Sequence, residues 1–281
     1  MQETGSLTET QFRRRSEFNQ YFGEERMKAV LGSATVLVFL FMYLPIAVIV
    51  IFSFSRGRVL ALPIHGWTLD WYHQALADDR LRMALGNSVK VAGAATAIAT
   101  LLGTLASLAL QRNQVRGKSL FRAAVVMPIL LPGIITGVAM LSFFAALNIP
   151  LGLWTVIIGH ATFGFPVVFN TVAARIAQLP KSLEEAAADL GAAPWEAFWR
   201  VLFPNLRSAL VAGTLLAFTL SFDEIIVTIF LTGQDNTLPM EIWARLRFGM
   251  TPEINATVSL ILLVSVGLVL LSQRLSKDSE V

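Results

Sequence analysis

The sequence predicts an all-α membrane protein with six transmembrane helices, and three observations carry that reading. Hydrophobic residues make up 55% of the 281 and charged residues 15%, against about 25% charged in a typical soluble domain. The charges are clustered: segments 29–55, 91–111, 208–222 and 254–273 carry none, and 123–174 holds only His160. Basic residues also gather on alternate connections, as the positive-inside rule requires. About 20 apolar residues cross a bilayer as a helix, so the spans fall near 30–54, 91–110, 123–147, 153–174, 208–231 and 254–272.

The first 28 residues are polar, mixing Arg13, Arg14 and Arg15 with Glu17, Glu24 and Glu25, and form a cytoplasmic amino-terminal segment. The apolar run that follows is too long for a cleaved signal peptide and reads as a retained first span. Trp67, Trp71 and Tyr72 in the outer loop, with Trp154 and Trp243 further on, fall at outer boundaries where an aromatic belt accounts for them. Gly93, Ala99, Gly103 and Ala106 in the second span let another helix approach closely. The 112–122 connection is basic and free of acids, which puts it, and hence both termini, on the cytoplasmic side. Gly117-Lys118-Ser119 ends like a phosphate-binding loop, but that motif needs a glycine where Arg112 stands.

The third span contains Pro128 and Pro132, each removing a helical hydrogen bond, and predicts a bend. The 123–174 run divides at Asn148-Ile149-Pro150-Leu151-Gly152. In the fourth span His160 is expected to be buried with one hydrogen-bond partner rather than joined to Asp223 in a metal or proton-relay pair. The membrane domain covers 29–274, with a cytoplasmic loop near 175–207 and a tail at 275–281. There is no cysteine, so disulfides and thiolate metal sites are excluded. The net charge of +3 reflects topology and makes no case for nucleic acid.

The loop before the fifth span is structured. Ser182 and Glu185 have capping-box spacing, Gly191 is placed to end the helix left-handed, Pro194 can open a second helix and Pro204 is placed to stop it. A compact helix-turn-helix knob follows. Inside the fifth span Ser221-Phe222 precede Asp223 and Glu224. A carboxylate at the bilayer centre costs about 2.5–3.5 kcal/mol on insertion scales. The pair therefore lines a wet pathway or, alternatively, is satisfied by Arg or backbone groups at a helix break.

Glu185-Ala186-Ala187, then Gly191, then Val201-Leu202-Phe203-Pro204 resembles the EAA loop of binding-protein-dependent ABC importer permeases, which have isoleucine and leucine where Val201 and Phe203 stand. The resemblance implies a type I importer permease (MetI-like) fold with a cytoplasmic EAA coupling loop. It implies that Glu184, Glu185, Ala186, Ala187, Gly191 and Pro204 seat on a cytoplasmic ATPase. ATP is then used by that partner; no cofactor or metal is bound by this chain, which does no covalent chemistry. The implied assembly has a second permease, two ATPase subunits and a periplasmic substrate-binding protein, set in the lipid of a bacterial inner membrane.

Further segments are similar to the polyamine branch, specifically the second permease subunit of spermidine/putrescine transporters. They are Gly66-Trp67-Thr68-Leu69-Asp70-Trp71-Tyr72, Gly86-Asn87-Ser88, Leu238-Pro239-Met240-Glu241-Ile242-Trp243 and the stretch from Arg247 to Ala256. This resemblance implies a polyamine substrate, with Ser221, Phe222, Asp223 and Glu224 along its pathway. Several polyamine permeases carry an acid after the third-span proline, where this chain has Gly133, so an opine-like or other small solute is the alternative. A secondary transporter using Asp223 or Glu224 as an ion site would show two related halves, and none are detected. An intramembrane hydrolase on His160 and Asp223 has no nucleophile-and-base constellation to support it.

Overall fold

The computed structural model describes residues 24–57, 61–112 and 117–277. Arg13, Arg14, Arg15, Glu17, Arg116 and the end of the tail lie outside the described residues. The described elements are helical apart from one isolated bridge between Ser55 and Trp67. In order they are α1 (Glu24–Phe52), α2 (Asp70–Ala77), α3 (Asp79–Arg112), α4 (Lys118–Leu130), α5 (Gly133–Ala146), α6 (Leu153–Gln178), α7 (Ser182–Asp189), α8 (Pro194–Ala197), α9 (Phe203–Phe222), α10 (Ile226–Leu231), α11 (Leu238–Leu246) and α12 (Pro252–Lys277). Four stretches are long and apolar enough to cross a membrane: Arg26–Phe52, Asp79–Leu110, Leu153–Gln178 and Pro194–Phe222. The pair α4 and α5 makes a fifth if its two halves count as one span, and Pro252–Gly267 is a shorter apolar helix.

Two predicted spans are broken. The third bends by 104° between α4 and α5: Leu131, extended because a proline follows it, and Pro132 separate the halves. The fifth stops at Phe222 and restarts at Ile226, so 208–231 is not one helix. The second is longer than predicted, because α3 starts at Asp79 in what reads as outer loop.

The chain divides into two compact units, 1–75 with 250–281, and 76–249. In the first, α1 packs along α12. The loop after α1 is tied back by aromatic side chains: Trp71 Nε1 donates to the Ser55 carbonyl at 2.8 Å, and the Tyr72 and Ser53 hydroxyls stand 2.6 Å apart.

The second unit is built on α3 against α6, and small residues set their approach. A Cβ on Gly103 would stand 3.0 Å from the Phe169 nitrogen and 3.1 Å from the Phe165 carbonyl oxygen, backbone atoms that cannot rotate aside. Ala99 is fully buried, and a Cβ on Gly164 would reach its methyl at 3.2 Å. Gly93 has open space around it, so the close-packing face begins later than its sequence suggests. The short helix α10 wedges between α5 and α6, where a Cβ on Gly137 would fall 2.5 Å from Phe230 and one on Gly159 2.6 Å from Leu231. Val91, Phe144, Val156, Val227 and Leu231 form the core around that wedge.

Candidate functional site

The polar insertion folds as a knob, though its ends are finished differently from the sequence reading. Helix α7 begins one step early: Lys181 is already helical and its carbonyl accepts from Glu184 at 3.1 Å, while Pro180 accepts from Leu183 at 3.2 Å. Ser182 is therefore inside the first turn, makes no cap, and the Ser182–Glu185 capping box does not form. Glu184 and Glu185 remain in the first turn, where carboxylates oppose the helix's positive end. At the other end Gly191 has φ +83°. Its N–H donates to Ala188 at 2.9 Å and that of Ala192 to Ala187 at 3.0 Å. These are the two reciprocal bonds of a Schellman ending.

Pro194 opens α8 as predicted, with the Glu196 carboxylate accepting from the Ala193 N–H at 3.2 Å. Pro204 does not stop the helix. A π turn at Phe198–Leu202 precedes α9, and the Phe203 N–H reaches back to the Phe198 carbonyl. That wider turn moves a carbonyl away from the proline ring, which would clash in a regular α-helix. Asn205 Nδ2 donates to Val201 at 2.7 Å, and Arg175 Nε donates to the Asn205 carbonyl at 3.0 Å, so the two legs of the knob are joined at its base. Ala187, Ala197 and Leu202 are buried inside the knob, while Leu190, Trp195 and Trp199 are exposed on it.

The second cluster surrounds the break in the fifth span. Glu224 serves the break itself: its Oε1 accepts from the Val227 N–H at 2.9 Å, capping α10. Asp223 is exposed, and no hydrogen bond or ion pair engages its side chain among the described residues. Phe222 is half-buried and stacks on Phe218 at 5.9 Å. Ser221 is buried, and its hydroxyl lies 2.8 Å from His160 Nδ1. His160 Nε2 lies 2.9 Å from the Thr228 hydroxyl, which donates to the Glu224 carbonyl at 2.9 Å. His160 is thus buried with two partners rather than one, and Asp223 is neither of them. The Thr155 hydroxyl, also on α6, stands 2.7 Å from both the Leu231 and the Gly152 carbonyls, so its single proton is shared between the far end of α10 and the start of its own helix. The two breaks adjoin: a Cβ on Gly133, the first residue of α5, would touch Ile226, the first residue of α10, at 3.4 Å.

Sequence reasoning missed Thr155 and Thr228, whose importance depends on which helices neighbour the break. It also missed a polar clamp joining segments it had picked out separately. Asn87 Nδ2 donates to the Asn236 carbonyl at 3.1 Å and the Leu238 N–H to Ser88 Oγ at 2.8 Å, fastening the start of α11 to α3. Arg245 bridges Asp78 at 2.8 Å and Glu241 at 3.0 Å. No cluster of three or more metal-ligating side chains occurs among the described residues.

The second unit is all-helical among the described residues and carries its folded polar knob between two long apolar helices, α6 and α9. Residues 99–277 match the binding-protein-dependent transport system inner membrane component family, and the chain belongs to that family. It is 38% identical over 205 residues to the putrescine transport system permease protein PotI of Escherichia coli, covering 70% of this chain and 73% of that one. It is 34% identical over 214 residues to the spermidine/putrescine transport system permease protein PotC of the same organism, covering 76% and 81%. A bacterial ABC transporter that imports the acidic polysaccharide alginate is similar in fold, with TM-score 0.67 over 90% of this chain and 97% of the other at 18% identity.

Proposed function

We propose that this chain is one permease subunit of an ATP-driven importer that carries a polyamine, putrescine or spermidine, inward across a bacterial inner membrane. Its 1–28 segment, its 175–207 loop and its 275–281 tail face the cytoplasm. Through Glu184, Glu185, Ala186, Ala187, Gly191 and Pro204 the knob seats on one of two ATPase subunits. Those subunits hydrolyse ATP, a second permease completes the pathway, and a periplasmic protein delivers the substrate. ATP-driven closure pushes on the knob, tilts the helices it joins and switches the pathway between inward- and outward-open.

One observation carries the substrate reading: the break at 223–225 leaves the Asp223 carboxylate exposed, while the other acid of the span, Glu224, is taken up in capping α10. An uncompensated acid at that depth suits a cationic amine passing along a wet path. The 34–38% identity to putrescine and spermidine permeases points the same way.

The test is uptake of labelled putrescine and spermidine by the reconstituted importer carrying D223N with E224Q. The amides keep size, and the Gln carbonyl still caps Val227, so only charge is lost. Uptake should fall about tenfold, equivalent to ~1.4 kcal/mol of barrier, while ATPase stimulation by the loaded binding protein persists. Unchanged uptake would favour an opine-like or other non-cationic solute, consistent with Gly133 where several polyamine permeases have an acid.

A further inference from the structure

We infer that His160 is a positioning residue for transport: its imidazole latches the two halves of the broken fifth span so that Asp223 stays turned out to the pathway. The inference rests on the pathway reading of Asp223 proposed above and adds the part that sets its geometry.

The latch follows from three helices and one ring. His160 on α6 is 1% exposed. One ring nitrogen meets Ser221 in the last turn of α9, at 2.8 Å, and the other meets Thr228 in the first turn of α10, at 2.9 Å. Ser221 and Thr228 are seven residues apart. In an unbroken helix that is a rise of ~10.5 Å at 1.5 Å per residue, beyond the span of two hydrogen bonds and one five-membered ring. The departure of 223–225 from helix brings both hydroxyls within reach of one ring, and while both bonds hold they oppose closure of the segment into a continuous helix.

One neutral tautomer of His160 satisfies every hydroxyl and ring nitrogen of the cluster. A threonine hydroxyl has a single hydrogen, and that of Thr228 goes to the Glu224 carbonyl. Thr228 therefore accepts from His160 Nε2–H, which leaves Nδ1 of the neutral ring to accept from the Ser221 hydroxyl. A directed chain runs from Ser221 through His160 and Thr228 to the Glu224 main chain, with each proton used once. Networks satisfied in this way in a low-dielectric interior are rigid. Glu224 is fixed twice, by its carbonyl here and by its carboxylate on Val227. Asp223, next to it and free of that network, is held outward as a consequence.

The chain contains no cysteine, so D223C gives it one thiol, and labelling read on this chain after it is resolved from its partner subunits reports on exposure. In the full importer reconstituted in vesicles, D223C should react with a charged, membrane-impermeant methanethiosulfonate. Adding H160L should slow that labelling about tenfold. In the otherwise native chain H160L should lower maximal uptake by a similar factor, while the concentration of loaded binding protein giving half-maximal rate stays unchanged. H160Q offers a donor and an acceptor at comparable spacing and should return both readouts to within about twofold of the parent, which bulk repacking would not predict.

If H160L fails to reach the membrane, S221A with T228V removes both anchors while keeping the histidine, and the same two readouts apply. Labelling and uptake at parental rates in either variant would overturn the latch. A thiol at 223 that stays unlabelled with His160 intact would instead overturn the pathway reading, and the latch's role in transport with it.

Discussion

Helix α7 ends at Gly191 by folding its own amides back onto Ala187 and Ala188; helix α9 ends at Phe222 with side chains from three helices gathered around the gap. The first ending is exposed at the knob, where water completes whatever the Schellman turn leaves over. The second turns Asp223 outward, while Ser221, Val227 and Thr228 are buried, so the backbone groups on that buried side must be satisfied from within the protein. Glu224, Thr228 and Thr155 do that for α10, and His160 joins them to α9. The same need, finishing a helix, is met by one backbone angle in water and by a side-chain network in the membrane. The two sites should therefore respond oppositely to mutation: the knob to changes of backbone freedom, the break to changes of side-chain polarity.

The largest effect is expected at Gly191. A β-branched residue at φ +83° carries ~1–3 kcal/mol of backbone strain, although no neighbouring atom lies within 4 Å of where its Cβ would be. G191V should abolish uptake and weaken co-purification with the ATPase while the protein still accumulates in the membrane. G191N should retain much of both, because asparagine tolerates the left-handed region. E185K, on the exposed face of α7, should likewise abolish uptake. Full transport by G191V would show that the knob is not finished by its backbone, and the contrast with the break would collapse.

The second expectation concerns Glu224, whose carboxylate does for α10 what no backbone turn does there. E224L should destabilise the detergent-solubilised protein by about 1–2 kcal/mol, the upper part of the range for losing a helix cap, because water cannot reach the orphaned Val227 amide. E224Q should cost much less, since its carbonyl oxygen still accepts. Thermal melting of the two variants measures the difference. Equal losses would mean that charge rather than the cap holds the break.

The same contrast explains what the sequence disclosed. Gly191 and Pro194 are punctuation with fixed backbone meaning, and the knob was legible from them. The Ser182–Glu185 box was misread because Pro180 and Lys181 already turn the chain into helix. Pro204 was misread as a stop because a π turn at Phe198–Leu202 admits its ring without ending the helix. The bend after Leu131 follows from the residue before a proline being extended, and two prolines had announced a distortion there. Nothing punctuates 208–231: no proline lies in it, and its one glycine before the break, Gly213, sits mid-helix. Only the adjacent acids signalled trouble; Glu224 finds its partners locally in Val227 and Thr228, but the His160 that joins the two ends depends on α6 lying alongside, which no local pattern encodes.

The smallest effect tests an intermediate case, a helix start at the edge of the membrane that uses a side chain with water nearby. Asp78 caps α3, its Oδ1 accepting from Arg80 at 2.8 Å and Leu81 at 3.0 Å, while Oδ2 pairs with Arg245. Burial acts to raise its pKa, but the Leu81 amide, the Arg245 hydrogen bond and charge, and the Arg80 amide outweigh it and hold the carboxyl below its ordinary value. A depressed carboxyl adds stability that is present above its unfolded pKa, about 3.9, and is lost as pH falls through the folded value. D78N keeps an oxygen for the cap and removes the charge, and Arg245 still has Glu241 at 3.0 Å. At neutral pH D78N should melt slightly below the parent, by under ~1 kcal/mol for a partly exposed pair. The gap should narrow toward zero as the pH drops below about 4. A gap that persists unchanged into acid would mean that the charge of Asp78 contributes nothing and that an amide does not reproduce its cap on Arg80 and Leu81, which would place this helix start with the membrane break rather than between the two.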